Sequence, residues 1–96
     1  MAEHPWLKHY DPAVPHHLDY PEIDIHGLIR RTADRRADQT ALRFMGLTLS
    51  HGRLFQLVDR LATGLGARGI KSGDRVILLL PNCPQFVISY YALMRL

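Results

Sequence analysis

Residues 64–69 read GLGARG, the G-x-G-x-x-G spacing of a loop that wraps a dinucleotide, and the flanking residues decide which fold the spacing belongs to. A phosphate-cradling glycine loop leaves a strand and opens a helix, so that free backbone N–H groups and the helix dipole point at the pyrophosphate. Here the order is reversed. The preceding HGRLFQLVDRLAT places Leu54, Leu57, Val58, Leu61, Ala62 and Leu65 on one helix face. The following IKSGDRVILLLP carries an unbroken apolar, partly β-branched run over residues 76–80, bounded by turn residues, as a buried strand does. Gly64 and Gly66 are then glycines in a helix tail, and Gly69 is the left-handed residue that ends the helix. No acidic side chain follows Leu80 to hold a ribose.

Outward from that helix, Ser50 stands at its N-cap position, and before it TALRFMGLTLS alternates over residues 41–45 and 47–49 about Gly46, the pattern of a tight antiparallel hairpin. Asp24 is placed to cap an earlier helix over residues 25–36, with Ile25, Leu28, Ile29 and Ala33 as its apolar face. Residues 1–22 contain Pro5, Pro12, Pro15 and Pro21, each of which holds its predecessor extended. They predict an arm, with Trp6, Leu7 and Tyr10 as apolar handles for docking on a surface. On the other side, Lys71, Ser72, Gly73 and Asp74 form a turn, residues 75–80 a strand, and Pro84 the first position of a third helix. That helix, PQFVISYYALMRL, is polar only at Gln85, Ser89 and Arg95 and lacks a capping residue after it. A strand that is apolar on both faces needs neighbours on both edges, and the hairpin alone cannot supply them. The chain is therefore expected to be incomplete as a folding unit, cut through an element at Leu96.

Composition narrows the function. A 96-residue chain with 47% hydrophobic and 22% charged residues is an ordinary small globular domain, which excludes disorder beyond the first twenty or so residues. The start MAEHPWLKHYDP is not a secretory signal, and the most apolar window, residues 76–94, is broken by Pro81, Asn82, Pro84 and Gln85, so no transmembrane segment is expected. A single cysteine, Cys83, forms no internal disulfide and agrees with a cytoplasmic location. The net charge of +3 and pI near 9.4 raise nucleic-acid binding, but RRTADRRAD sets Asp34 and Asp38 among Arg30, Arg31 and Arg35. Acids one turn from the bases make exposed ion pairs, not a continuous positive stripe, so no nucleic acid is expected. His4, His9, His16, His17, His26 and His51 show no metal-ligand spacing with Cys83 or the carboxylates, and no metal site is expected. Cys83 begins a helix, whose dipole favours a thiolate, yet no histidine is placed to serve it as base, which leaves a packed or capping role. Tyr90 and Tyr91 are expected in the core.

The order of hairpin, Ser50-capped helix, GIKSGDRVILLLPN and CPQFVISYYALMRL resembles the N-terminal portion of the adenylate-forming acyl-CoA synthetase superfamily over residues 23–96. Gly69, Gly73, Asp74, Arg75, Val76, Pro81 and Asn82 carry the likeness. The arm, PWLKHYDPAVP with HLDYPEI, looks like that of bacterial long-chain fatty acid–CoA ligases. Where the family pattern places Glu three residues after the capping hydroxyl, this chain has Arg53, which cannot accept the reciprocal bond of a capping box and weakens the helix start. The resemblance implies an α/β fold: a Pro-rich arm over residues 1–22, then residues 23–96 as the start of an AMP-binding domain with a hairpin, about three helices and a buried strand. It implies a ligase whose parent protein uses ATP, Mg²⁺ and CoA to convert a fatty acid to its CoA thioester through an acyl-adenylate. The signature motifs for that chemistry come after Leu96, so no catalytic, cofactor-binding or metal-binding residue is assigned and the segment alone is expected to be inactive. Its expected partners are the remainder of the domain, the fatty acid, and a second subunit met through the arm, in a cytoplasmic enzyme that can touch the inner membrane. Two alternatives stand beside this: an adenylate-forming enzyme for a different carboxylic acid, and a complete module that binds a partner through its last helix and the Trp6 arm.

Overall fold

The computed structural model describes residues 4–96. The first three residues of the expected arm lie outside the described residues. From Pro5 the arm makes one turn of 3-10 helix, Pro5–His9, that ends where the Tyr10 N–H donates to the Leu7 carbonyl at 3.2 Å. Asp11 and Pro12 then set a turn in which the Asp11 carboxylate accepts from the Ala13 N–H at 2.9 Å. Of the apolar handles, Leu7 is half-buried while Trp6 and Tyr10 remain exposed. Trp6 packs beside His4, with ring centroids 4.7 Å apart, Tyr10 meets His16 edge-on at 5.5 Å, and Trp6 stays 53% exposed.

Helix α1, Ile25–Arg35, begins where the Asp24 carboxylate accepts from the Gly27 N–H at 2.6 Å. Of its expected apolar face, Ala33 is buried and Ile29 packs on the core, while Ile25 and Leu28 remain exposed because α1 is covered on one side only. Its basic face is solvated without pairing. Among the described residues the ion pairs within 4.0 Å all involve Asp59, so the expected Arg30–Asp34 pair is not formed. An exposed pair gains too little in water to offset the ordering of two long side chains.

Strands β1, Thr40–Phe44, and β2, Leu47–Ser50, form the hairpin in antiparallel register, with Phe44 opposite Leu47 and Leu42 opposite Leu49. Met45 and Gly46 between them both take positive φ, 46° and 83°, as a two-residue type I′ loop requires. The ladder runs on into the next helix. The His51 N–H donates to the Gln39 carbonyl at 2.9 Å and the Gly52 N–H to the Ala37 carbonyl at 3.0 Å. Helix α2, His51–Ala67, is then capped by Ser50 Oγ, which accepts from the Arg53 N–H at 3.1 Å. Three of the four donors that a helix leaves unpaired are thus satisfied. The reciprocal capping-box bond is absent, as Arg53 dictates, but the Gln39 and Ala37 carbonyls hold the next two N–H groups, those of His51 and Gly52, and so anchor the helix start from outside it.

At the other end of α2 the Ile70 N–H reaches back to the Leu65 carbonyl at 3.2 Å and the Gly69 N–H to the Gly66 carbonyl at 3.0 Å, with Gly69 at φ 97°. This is the paired-bond glycine stop expected from the sequence. Asp74 closes the next turn by accepting from the Lys71 N–H at 2.9 Å. Helix α3, Pro84–Arg95, starts with Pro84 at its first position and packs on α2. Leu54, Val58 and Ala62 of α2 meet Ala92 of α3 in the core, and Ala62 and Ala92 are sealed from solvent. Tyr91 faces this core, but Tyr90 is 39% exposed, against the expectation that both are buried.

The architecture is a mixed α/β one of three helices and a two-stranded antiparallel hairpin, and one expected element departs from plan. Residues 75–80 carry no ladder, and Ile77 and Leu79 are 82% and 90% exposed. The expected buried strand is thus neither paired nor buried, because a strand exists only against a neighbour and neither hairpin edge is presented to it. The consequence is an open molecule. Its radius of gyration is 17.7 Å, where a compact chain of this length has about 12.5 Å.

Candidate functional site

Polar chemistry gathers where the three helices meet. Asp59, on α2, accepts from Arg95 Nη1 of α3 at 2.7 Å. On the opposite side His26 of α1 packs against Phe55, ring centroids 5.4 Å apart, and brings its Nε2 within 3.6 Å of the same Asp59 oxygen. That separation is too long for a hydrogen bond, and the buried Nε2 has no other partner. A histidine beside a carboxylate is the base half of a catalytic triad, but the nucleophile is missing. Cys83 lies elsewhere, half-buried in a groove with Leu42, Arg43 and Phe44 of β1 and Phe86 and Val87 of α3, and no histidine lines that groove. Its thiol makes no capping bond, so of the two roles expected for it packing is the one observed. The His26–Asp59–Arg95 cluster brings α1, α2 and α3 together at one point.

Sequence reasoning flagged His26 only as a metal candidate and passed over Asp59. Arg95 is the one charged side chain of an otherwise apolar α3, and Asp59 stands beside the core stripe of α2. The one charged residue of α3 and the one acid of α2 are the signal that could have paired them.

The glycine segment offers nothing to a phosphate. Gly64 and Gly66 lie inside α2, and the N–H groups of Arg68, Gly69 and Ile70 are all spent on the carbonyls of Leu65 and Gly66. The histidines are dispersed: among the described residues, no group of three His, Cys, Asp or Glu side chains could hold a metal ion. A cavity of about 200 Å³ between α1, β1, α2 and α3 is lined mainly by Ile29, Ala41, Leu42, Leu54, Phe55 and Val87, with Thr32, His51 and Tyr91 as the polar side chains at its wall. It has no paired acids, no basic cluster and no free helix N-terminus, so the residues present do not fit a nucleotide or its metal. No helix among the described residues is long and apolar enough to cross a membrane.

Residues 29–96, from the middle of α1 to the residue after α3, match the family described as AMP-binding enzyme. The chain belongs to that family, the adenylate-forming acyl-CoA synthetase superfamily. It is 38% identical over 94 residues to a long-chain-fatty-acid–CoA ligase of Bacillus subtilis, a match that covers 98% of the chain and 17% of that protein. It is 39% identical over 88 residues to 4-coumarate–CoA ligase 5 of Oryza sativa, covering 90% of the chain and 15% of the relative. A third relative, an oxalate–CoA ligase of Arabidopsis thaliana, is 41% identical over 71 residues, 72% of the chain and 14% of its own length. The chain thus spans about one-sixth of the length of the relatives it matches. No solved structure matches it significantly.

Proposed function

We propose that the protein to which this chain belongs is a fatty acid–CoA ligase, and that the chain forms part of the scaffold of its AMP-binding domain. The observation that carries the fatty-acid assignment is the extent of the likeness. The Bacillus subtilis ligase matches 98% of the chain, nearly all of the arm included, against 90% for the 4-coumarate ligase and 72% for the oxalate ligase. The proposed reaction has two displacements. A carboxylate oxygen attacks the α-phosphorus of ATP, which forms the acyl-adenylate and expels pyrophosphate. The sulfur of CoA then attacks the acyl carbonyl, its thiol proton is released, and AMP leaves. ATP with Mg²⁺, and CoA, are the small molecules required, and no residue of this chain is assigned to them. Residues 1–22 serve as the arm and residues 23–96 open the domain, whose remainder is the proposed cover for residues 75–80 and the outer face of α3.

A different carboxylic acid is the second assignment, supported by the 39% and 41% identities to the 4-coumarate and oxalate ligases, which match that to the fatty-acid enzyme. Pyrophosphate exchange into ATP, measured on the protein that carries this chain across a series of acids, separates the two. Fatty-acid-dependent exchange, with thioester formed only when CoA is added, is the expected result. Exchange with short or aromatic acids alone keeps the adenylate chemistry and removes the lipid. No exchange with any carboxylate removes both and leaves a partner-binding module. The 96-residue chain by itself is expected to give none.

The arm is the proposed contact with a second subunit, supported by the exposure of Trp6 and Leu18. Deleting residues 1–20 should lower the mass read by light scattering without abolishing exchange; an unchanged mass removes the contact. Proposed placement is cytoplasmic with access to the inner-membrane surface, consistent with a lipid substrate, and co-sedimentation of activity with membrane vesicles is the check.

A further inference from the structure

We draw no further inference here: the strongest candidate, the side-chain cluster in which the buried His26 Nε2 stands 3.6 Å from Asp59 where α1, α2 and α3 meet, belongs to the site already described, and nothing among the described residues shows a ligand or reacting group that would engage it.

Discussion

At the scale of single residues, three glycines that share one motif have opposite roles. A Cβ at Gly64 meets nothing within 4 Å, and one at Gly66 meets only Leu96 Cδ2 at an ordinary 3.5 Å. Gly64→Ala and Gly66→Ala are expected to stabilise the chain by up to about 1 kcal/mol, the usual excess cost of glycine inside a helix. Gly69→Ala should do the reverse, by about 1–2 kcal/mol, because φ of 97° lies where an L side chain is strained. Urea midpoints of the three variants are the measurement, and a stabilising Gly69→Ala would contradict the cap. Asp59 is the residue that the helices share. Its side chain is 36% exposed and that of Arg95 42%, so solvent screens the pair and its worth is about 0.2–1 kcal/mol. A double-mutant cycle with Asp59→Ala and Arg95→Ala should return a coupling in that range, and a larger value would mean that the cluster is drier than its exposure implies.

At the scale of elements, the helices differ in what holds them. α1 rests on its Asp24 cap and half of its apolar face, whereas α2 is anchored at both ends by backbone bonds and along its length by Leu54, Val58 and Ala62. Leu54→Ala is therefore expected to destabilise by about 2–3 kcal/mol, the low end of the range for buried leucine, because the adjoining cavity already leaves one side of the residue loosely packed. Leu79→Ala, on a side chain 90% exposed, should change stability by less than about 0.5 kcal/mol. Comparable losses at the two positions, read as shifts in urea midpoint, would mean that residues 75–80 are buried in solution.

At the scale of the whole molecule, the open shape sets the unfolding behaviour. The urea slope of a small protein follows the surface newly exposed on unfolding, and here much of that surface is exposed beforehand. The slope of the 96-residue chain is expected to fall below about 1 kcal/mol/M, the lower end for small closed domains. A slope typical of a closed domain of this length would show that the arm and residues 75–80 fold back on the core.

Every feature read correctly from the sequence depends on bonds between residues a few positions apart. Asp24 and Ser50 cap donors three residues on, Gly69 and Ile70 close on carbonyls of the preceding turn, and Gly46 supplies the positive φ of a two-residue loop. The apolar period of α2 belongs to the same class, since it asks only that one face be covered. Non-local partners decided the rest. The start of α2 is held by Ala37 and Gln39, Asp59 is bridged to Arg95 across 36 positions, and residues 75–80 lack the neighbour that their composition calls for. A helix closes its hydrogen bonds within its own segment, so sequence alone places it; a strand borrows its bonds from another segment, and only the tertiary structure determines whether that segment is there.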